Sequence, residues 1–186
     1  MEFPVLESEH LKLIEIKEEH TDSIYRIFSN PEVIKFYGMA PFTQVDEANN
    51  LIKSFSKGFK ENRSIRWGIV LKETEEVVGT VGLNNLVRSQ KRTEIGYDLL
   101  PPYWRRGIVS EAVETVIRYC FNELALFRIA AVTFTENESS YKLLLKLGFQ
   151  KEGLLRGYIY QNEQSNDTFV FSLIQPEWRE NSRLTN

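Results

Sequence analysis

The chain reads as an α/β (α+β) fold: one mixed, mostly antiparallel sheet with helices on both faces. Three observations predict this. Several strand-like runs are joined by short polar connections, ETE and VRSQKR among them, and such connections imply antiparallel neighbours. One strand is followed by an amphipathic helix and then another strand, over residues 93–134, which is the pattern of a right-handed crossover between parallel strands. Further helical periodicities flank these strands, so both sheet faces can be covered.

Taken in order, HLKLIEIK (10–17) alternates and predicts a strand. EEHTDSIYRIFSN (18–30) predicts a helix stopped by Asn30–Pro31. FTQVDEANNLIKSFSKGFKEN (42–62) predicts a longer helix, with Thr43 and Asp46 as a capping pair and Ala48, Leu51, Ile52, Phe55 and Phe59 on one face. SIRWGIVLK (64–72), EVVGTVGLNNL (76–86) and TEIGYDLL (93–100) follow as three strands. A helix then carries Ile108, Ala112, Val113, Val116, Ile117, Cys120, Phe121 and Leu124 on one face, with Glu111, Glu114, Arg118, Asn122 and Glu123 on the other. RIAAVTF (128–134) is a strand and NESSYKLLLKLG (137–148) a helix with Gly148 as its C-cap. FQKEGLLRGYIYQ (149–161) and NDTFVFSLI (166–174) form a final hairpin. Without a repeat, low-complexity tract or flexible linker, the expectation is one domain over 1–186, with a helical region at 18–62 and a core at 64–174.

Composition excludes several function classes. With 186 residues, 42% hydrophobic and 26% charged, this is the make-up of an ordinary globular chain able to bury a core. A net charge of −3 disfavours general nucleic-acid binding. The start, MEFPVLESEH, lacks the basic and apolar regions of a signal peptide, and no apolar run approaches a membrane span. Cys120 stands alone, so no internal disulfide forms and the cytoplasm is the expected location. With only His10 and His20 beside that cysteine, no zinc site or other metal is expected.

One stretch resists a purely structural account. In PPYWRRGIVSEAVETVIRYC (101–120), Arg105, Arg106 and Gly107 stand at the first turn of the helix. Positive charge there opposes the helix dipole. The first turn also leaves backbone N–H groups without partners, and an anion placed there collects both. Gly107 lets the backbone approach a phosphate closely, and the arginines add charge-assisted hydrogen bonds. WRRGIVSE thus reads as a phosphate cradle, although neither a Walker loop nor a GxGxxG fingerprint is present. The plain alternative is two exposed arginines opening a surface helix.

The wider context favours the cradle. EIGYDLLPPYWRRGIVSEA resembles the acetyl-CoA-binding signature of the GNAT acetyltransferases. Within them it is similar to the Rim-type branch, which acetylates the N-terminal amine of ribosomal proteins and reads E-I-G-Y, then P-x-x-W-G-K-G-Y-A-T-E-A. NESSYKLLLKLGFQKEGLLRGY (137–158) resembles that branch's N-x-x-S-x-x-L-x-x-x-L-G-F-x-x-E-G, and HLKLIEI with NPEVIKFYG completes the match. Two departures stand out. Arg105 occupies the first glycine position of the family, and Val109 a position usually held by Gly or Ala.

The resemblance implies an acetyl-CoA-dependent N-acetyltransferase, with direct attack of an amine on the bound thioester and no covalent enzyme intermediate. The acetyl-CoA contacts it implies are Asp98, Leu99, Leu100, Trp104, Arg105, Arg106, Gly107, Ile108, Val109, Ser110 and Asn137. The pantetheine arm would pair with Asp98–Leu100 like an added strand, with the N–H of Leu99 or Leu100 polarising the thioester carbonyl. Glu94 is the expected base, directly or through a water, or else a solvated strand glutamate. Ser140 would protonate or hydrogen-bond the departing sulfur, or else cap its own helix, and Asn137 is both a CoA contact and an N-cap. Phe36, Tyr37 and Phe42 would wall the acceptor pocket, with Tyr158 of the last hairpin opposite. Cys120 and the two histidines read as structural or solvated.

The expected acceptor is a protein N-terminal amine. A small-molecule amine, such as a polyamine or an antibiotic, and a non-catalytic acetyl-CoA sensor are the alternatives. The aromatics of the last hairpin are a possible homodimer surface.

Overall fold

The computed structural model describes residues 2–184. Eight strands form one sheet: β1 (Leu6–Glu7), β2 (Leu11–Glu15), β3 (Ile65–Leu71), β4 (Val77–Val87), β5 (Arg92–Leu99), β6 (Arg128–Phe134), β7 (Gln150–Gln161) and β8 (Gln164–Ile174). Their spatial order is β1-β2-β3-β4-β5-β6-β8-β7. Every neighbouring pair is antiparallel except β5 and β6, which are parallel. The helices are α1 (Thr21–Phe28), α2 (Pro31–Ile34), α3 (Val45–Lys60), α4 (Ile108–Asn122), α5 (Glu138–Lys146) and α6 (Gln175–Leu184). The strand–helix–strand unit β5–α4–β6 is the parallel crossover that the sequence predicts. No helix among the described residues is long and apolar enough to cross a membrane.

Strand alternation splits the apolar residues between two cores. Leu13, Trp67, Val81, Ile95 and Ile129 face α4 and meet its Ala112, Val113, Val116 and Cys120. Ile16, Val70, Val77 and Leu100 face the other way and meet Ile24, Phe28, Ala48 and Ile52 of α1 and α3. Burial pushes the Cys120 thiol well above its ordinary pKa, so it is a small core residue rather than a nucleophile.

Three local expectations change. Pro31 does not end a helical region but opens α2: Asn30 caps it by accepting from Glu32 N at 3.0 Å, and proline is favoured at a first helical position because its missing N–H would lack a partner there anyway. The cap of α3 is made by Glu47 rather than Asp46, since the Glu47 carboxylate takes the amides of Thr43 (2.7 Å) and Gln44 (2.9 Å). A C-terminal helix follows β8, and its Trp178 packs on Phe121 with ring centroids 5.2 Å apart.

Candidate functional site

The parallel ladder ends at the pair Glu94–Ala130. β5 continues to Leu99, while β6 remains paired with β8 as far as Phe134. The two strands diverge from a fork whose apex is Glu94. The β4–β5 register is unbroken from Glu94↔Asn84 to Leu99↔Gly79, and Leu100 N–H donates to the Val78 carbonyl at 2.9 Å. Alternate residues of an antiparallel ladder aim their amides to opposite sides. The N–H groups of Tyr97 and Leu99 therefore face the open side of the fork. That of Leu100 is committed to β4, which removes it as a donor to a ligand carbonyl.

The fork leads to the start of α4. The helix opens at Ile108, not at the arginines: Gly107 is the N-cap at φ 77°, and Arg105 has φ 60°. Two left-handed residues thus flank Arg106, and the arginines sit on the approach to the helix rather than in its first turn. The amides of residues 105–110 have no protein acceptor among the described residues. Trp104 is exposed along one face and ties this turn to β5 by donating Nε1–H to the Leu99 carbonyl at 2.7 Å. Arg106 lies 5.7 Å from the Tyr103 ring centre. Ile108 is buried, Val109 packs against the core, and Ser110 Oγ reaches Glu114 at 3.3 Å.

The helix's own first-turn acid does not fill the cradle. Glu111 is turned to the β1–β2 turn, where it accepts from Ser8 Oγ (2.6 Å) and His10 N (2.8 Å) and meets His10 Nδ1 at 3.0 Å. Burial opposes its charge, but the bonds from Ser8 and His10 outweigh burial and hold its carboxyl below the usual range.

Arg105 holds a left-handed conformation, which glycine adopts without steric cost. A non-glycine residue there costs about 1–2 kcal/mol, partly offset by the lower entropy of its unfolded chain. Arg105→Gly is expected to raise stability by about 0.5–1 kcal/mol in urea unfolding. An unchanged or lowered midpoint would show that the arginine side chain compensates for the strain.

A cavity of about 340 Å³ opens through the fork. β5 contributes Gly96 and Tyr97, β6 contributes Thr133, and the start of α5 contributes Asn137 and Ser140. Phe36 and Tyr37 cover it from the α2–α3 loop, and Ile159 closes it from β7. Ser140 Oγ and the Tyr97 hydroxyl are 2.8 Å apart. Asn137 caps α5 by accepting from Ser140 N at 3.3 Å. Among the described residues, Thr133 Oγ1 behind this wall and Thr168 Oγ1 on β8 are buried without a hydrogen-bond partner. The open amide edge and the six free amides together fit an extended, amide-bearing arm joined to a pyrophosphate, as acetyl-CoA carries.

Two expected wall residues are elsewhere. Phe42 is a core residue, with its ring 5.6 Å from that of Phe28 and its N–H on the Phe28 carbonyl at 2.9 Å. Tyr158 is exposed, and its neighbour Ile159 takes the inward position because successive strand residues alternate faces. The α2–α3 loop is fastened to β7 by Gln161, whose Nε2 donates to the carbonyls of Ile34 (2.9 Å) and Met39 (3.0 Å) and whose Oε1 accepts from Gly38 N at 3.0 Å.

Glu94 lines a neighbouring cavity of about 490 Å³ with Arg63, Asn85 and Arg92. The two cavities share Asn84. Glu94 and Leu99 are five steps apart along β5, about 16 Å of strand, so one reacting carbon cannot meet both. Ser140 is bonded at Tyr97, between the two.

Asp98, expected among the acetyl-CoA contacts, instead turns its side chain into a buried polar group beneath the α2–α3 loop, and the sequence reading missed Arg66 beside it. Asp98 accepts from Thr80 N (2.8 Å) and Thr80 Oγ1 (2.6 Å) and interacts with the Tyr37 hydroxyl. Burial raises its pKa, against the pull of the Arg66 guanidinium. Burial likewise drives the Tyr37 phenol up. Arg66, itself 8% exposed, also lines the cavity. Its signal in the sequence is an arginine inside an otherwise apolar strand, IRWGIVL, with glycines on the strands beside it.

Comparison with known proteins agrees with this geometry. The model of the acetyltransferase (GNAT) domain family matches residues 10–150. The chain is 44% identical over 174 residues to the uncharacterized N-acetyltransferase YoaA of Bacillus subtilis (strain 168), covering 94% of this chain and 98% of that one. It is 29% identical over 120 residues to the ribosomal protein uS5-alanine N-acetyltransferase of Escherichia coli (strain K12), covering 64% of this chain and 62% of that one. The fold is also that of the spermidine N-acetyltransferase from Vibrio cholerae, solved in complex with CoA and spermine. That likeness has a TM-score of 0.81 at 19% identity, over 92% of this chain and 99% of the other.

Proposed function

This chain belongs to the GNAT acetyltransferases and is an N-acetyltransferase; from that premise we propose that it uses acetyl-CoA to acetylate a protein N-terminal α-amine. The observation that carries the reading is the fork between β5 and β6, whose unpaired edge leads to the free amides of residues 105–110. The uS5-alanine relative supports the acceptor class.

Acetyl-CoA supplies the acyl group: a C–N bond forms, the C–S bond breaks, the amine loses a proton and the sulfur gains one. The amides of 105–110, with Arg105 and Arg106, hold the pyrophosphate. Tyr97 and Leu99 N–H align the extended arm along β5. The reacting centre lies at the level of Gly96–Tyr97, where Ser140 and the acceptor loop converge. Tyr97 N–H is then the donor nearest the thioester oxygen. Ser140, backed by the Tyr97 hydroxyl, gives the departing sulfur its proton. Glu94 accepts the amine's proton through a water beside Asn84, because it lies about 10 Å of strand from that level.

Thiol release from acetyl-CoA, followed with N-terminal peptides and with small amines such as spermidine, tests this reading. Release with peptides is expected, and Glu94→Gln is expected to lower kcat about 100-fold. Full activity in Glu94→Gln would discard Glu94 as the base. Release with small amines alone would move the acceptor to that class.

A further inference from the structure

Arg66 is a cation in an unusual place. It lies inside β3, and its guanidinium spreads across the sheet over Gly82 and Gly96. A Cβ on Gly82 would come within 2.7 Å of its Nε, so the room for this side chain depends on glycine. Nη1 donates to Thr80 Oγ1 (3.4 Å) and the Gly96 carbonyl (3.3 Å), and Nη2 donates to Asn84 Oδ1 (3.3 Å). These are long bonds, and a guanidinium carries five N–H donors. The Nε–H and one Nη2 hydrogen therefore have no protein acceptor among the described residues, and the group borders the cavity.

The cavity wall contains no carboxylate among the described residues. The adjoining cavity adds Arg92 and Glu94, and its Arg63 is paired with Glu61. A polyamine entering here would bring several ammonium groups to a buried guanidinium whose carboxylate neighbour, Asp98, lies outside the cavity wall and faces Thr80, a costly arrangement. A primary amine beside a carbonyl brings what the guanidinium lacks, an oxygen acceptor. The nearby cation also favours the unprotonated form of the amine, the form that attacks.

We infer that Arg66 is a specificity-determining residue that selects acceptors with a carbonyl oxygen one carbon away from the reacting amine, the α-aminoacyl unit of a peptide N-terminus. This rests on the proposed N-acetyltransferase reading and adds how the acceptor is chosen. It also predicts that Asn84, which holds Nη2, orients the group without touching the amine.

The test compares alaninamide, sec-butylamine and spermidine as acceptors for the full-length enzyme. The kcat/KM for each is corrected for its unprotonated fraction, because the amines differ in basicity. Alaninamide is expected to lead sec-butylamine by about 10- to 100-fold, the worth of one hydrogen bond to a charged group. Arg66→Lys, which keeps the charge but loses the fork of donors, is expected to erase that ratio. Gly96→Ala supplies a second variant should Arg66→Lys fail to fold. Its methyl would stand 3.4 Å from Asn84 Nδ2 and 3.8 Å from Nη2, covering the same edge, and is expected to shrink the ratio of alaninamide to sec-butylamine, a ratio that a general loss of activity leaves unmoved. Equal or better use of sec-butylamine or spermidine by the wild type overturns the inference, as does an unchanged ratio in both variants. Absence of transfer to every amine and peptide tried overturns the enzymatic reading itself, and this inference with it.

Discussion

Ser140→Ala is expected to lower kcat about 100-fold with a much smaller change in acceptor KM, the loss that follows when a positioned proton donor is removed. The change is clean because Ser140 Oγ has one partner, the Tyr97 hydroxyl at 2.8 Å, while Ser140 N–H stays on Asn137. The structural cost is limited to one unsatisfied phenol, about 1 kcal/mol. Tyr97→Phe keeps the serine but removes its support, so its kcat loss is expected to be smaller. The pH dependence separates this pair from other donors. Burial pushes the Tyr97 phenol up to about 12, and the Ser140 bond pulls back only part of that shift. The pair therefore stays protonated well past neutral pH, and kcat is expected to plateau from pH 8 to 10 without a falling limb. A falling limb near pH 8–9 would assign the proton to another group. Stability gives an independent check. A phenol with a raised folded pKa contributes stability that is complete below its unfolded value near 10 and is lost as the pH rises toward 12. Urea midpoints of the wild type should drop through that window, and Tyr97→Phe should not show this part of the drop.

Much of the architecture was legible because it is written in local periodicity. The apolar face of α4, the short ETE turn and the strand–helix–strand run at 93–134 each carry their own signal. The turn before α4 drew notice in the sequence as charge placed against a dipole, although its geometry was not legible: the left-handed turns at Arg105 and Gly107 put the arginines before the helix. What stayed hidden depends on register between distant strands. Arg66 is buried because Gly82 and Gly96 lie beside it, and no window of sequence shows those three as neighbours. The choice between Tyr158 and Ile159 as a wall residue is a one-position difference in strand phase, which pairing decides. The helix Gln175–Leu184 has little apolar periodicity to announce it, with Trp178 as its main anchor. The Glu94–Leu99 conflict was in principle legible, since five strand residues span too far for one reacting atom.

Asp98→Ala is expected to cost about 3 kcal/mol in urea unfolding, the largest stability loss among these variants. The carboxylate is buried and takes both the N–H and the hydroxyl of Thr80, so alanine strands a buried amide that has no route to water. It also removes the buried carboxylate that faces Arg66 and frees the Tyr37 hydroxyl beneath the α2–α3 loop. Asp98→Asn keeps an oxygen for Thr80 N–H and is expected to cost only about 1 kcal/mol. The sign of the pH effect distinguishes a buried carboxylate from an ordinary surface one. Burial raises the Asp98 pKa, so the folded state holds this proton more tightly than the unfolded chain, and the associated stability is complete at low pH and lost as the pH rises through the folded value. The deficit of Asp98→Asn should therefore widen on acidification from neutral pH. Glu152 works in the opposite direction. The Arg128 pairing and the Ser172 bond hold its carboxyl down to about 2, so its contribution is present above the unfolded value and fades as the pH falls. Because Asp98 reaches the acceptor loop through Tyr37, both Asp98 variants should raise acceptor KM more than acetyl-CoA KM. Wild-type stability in Asp98→Ala would mean that the carboxylate is strained in place, and that the loop is held by Gln161 alone.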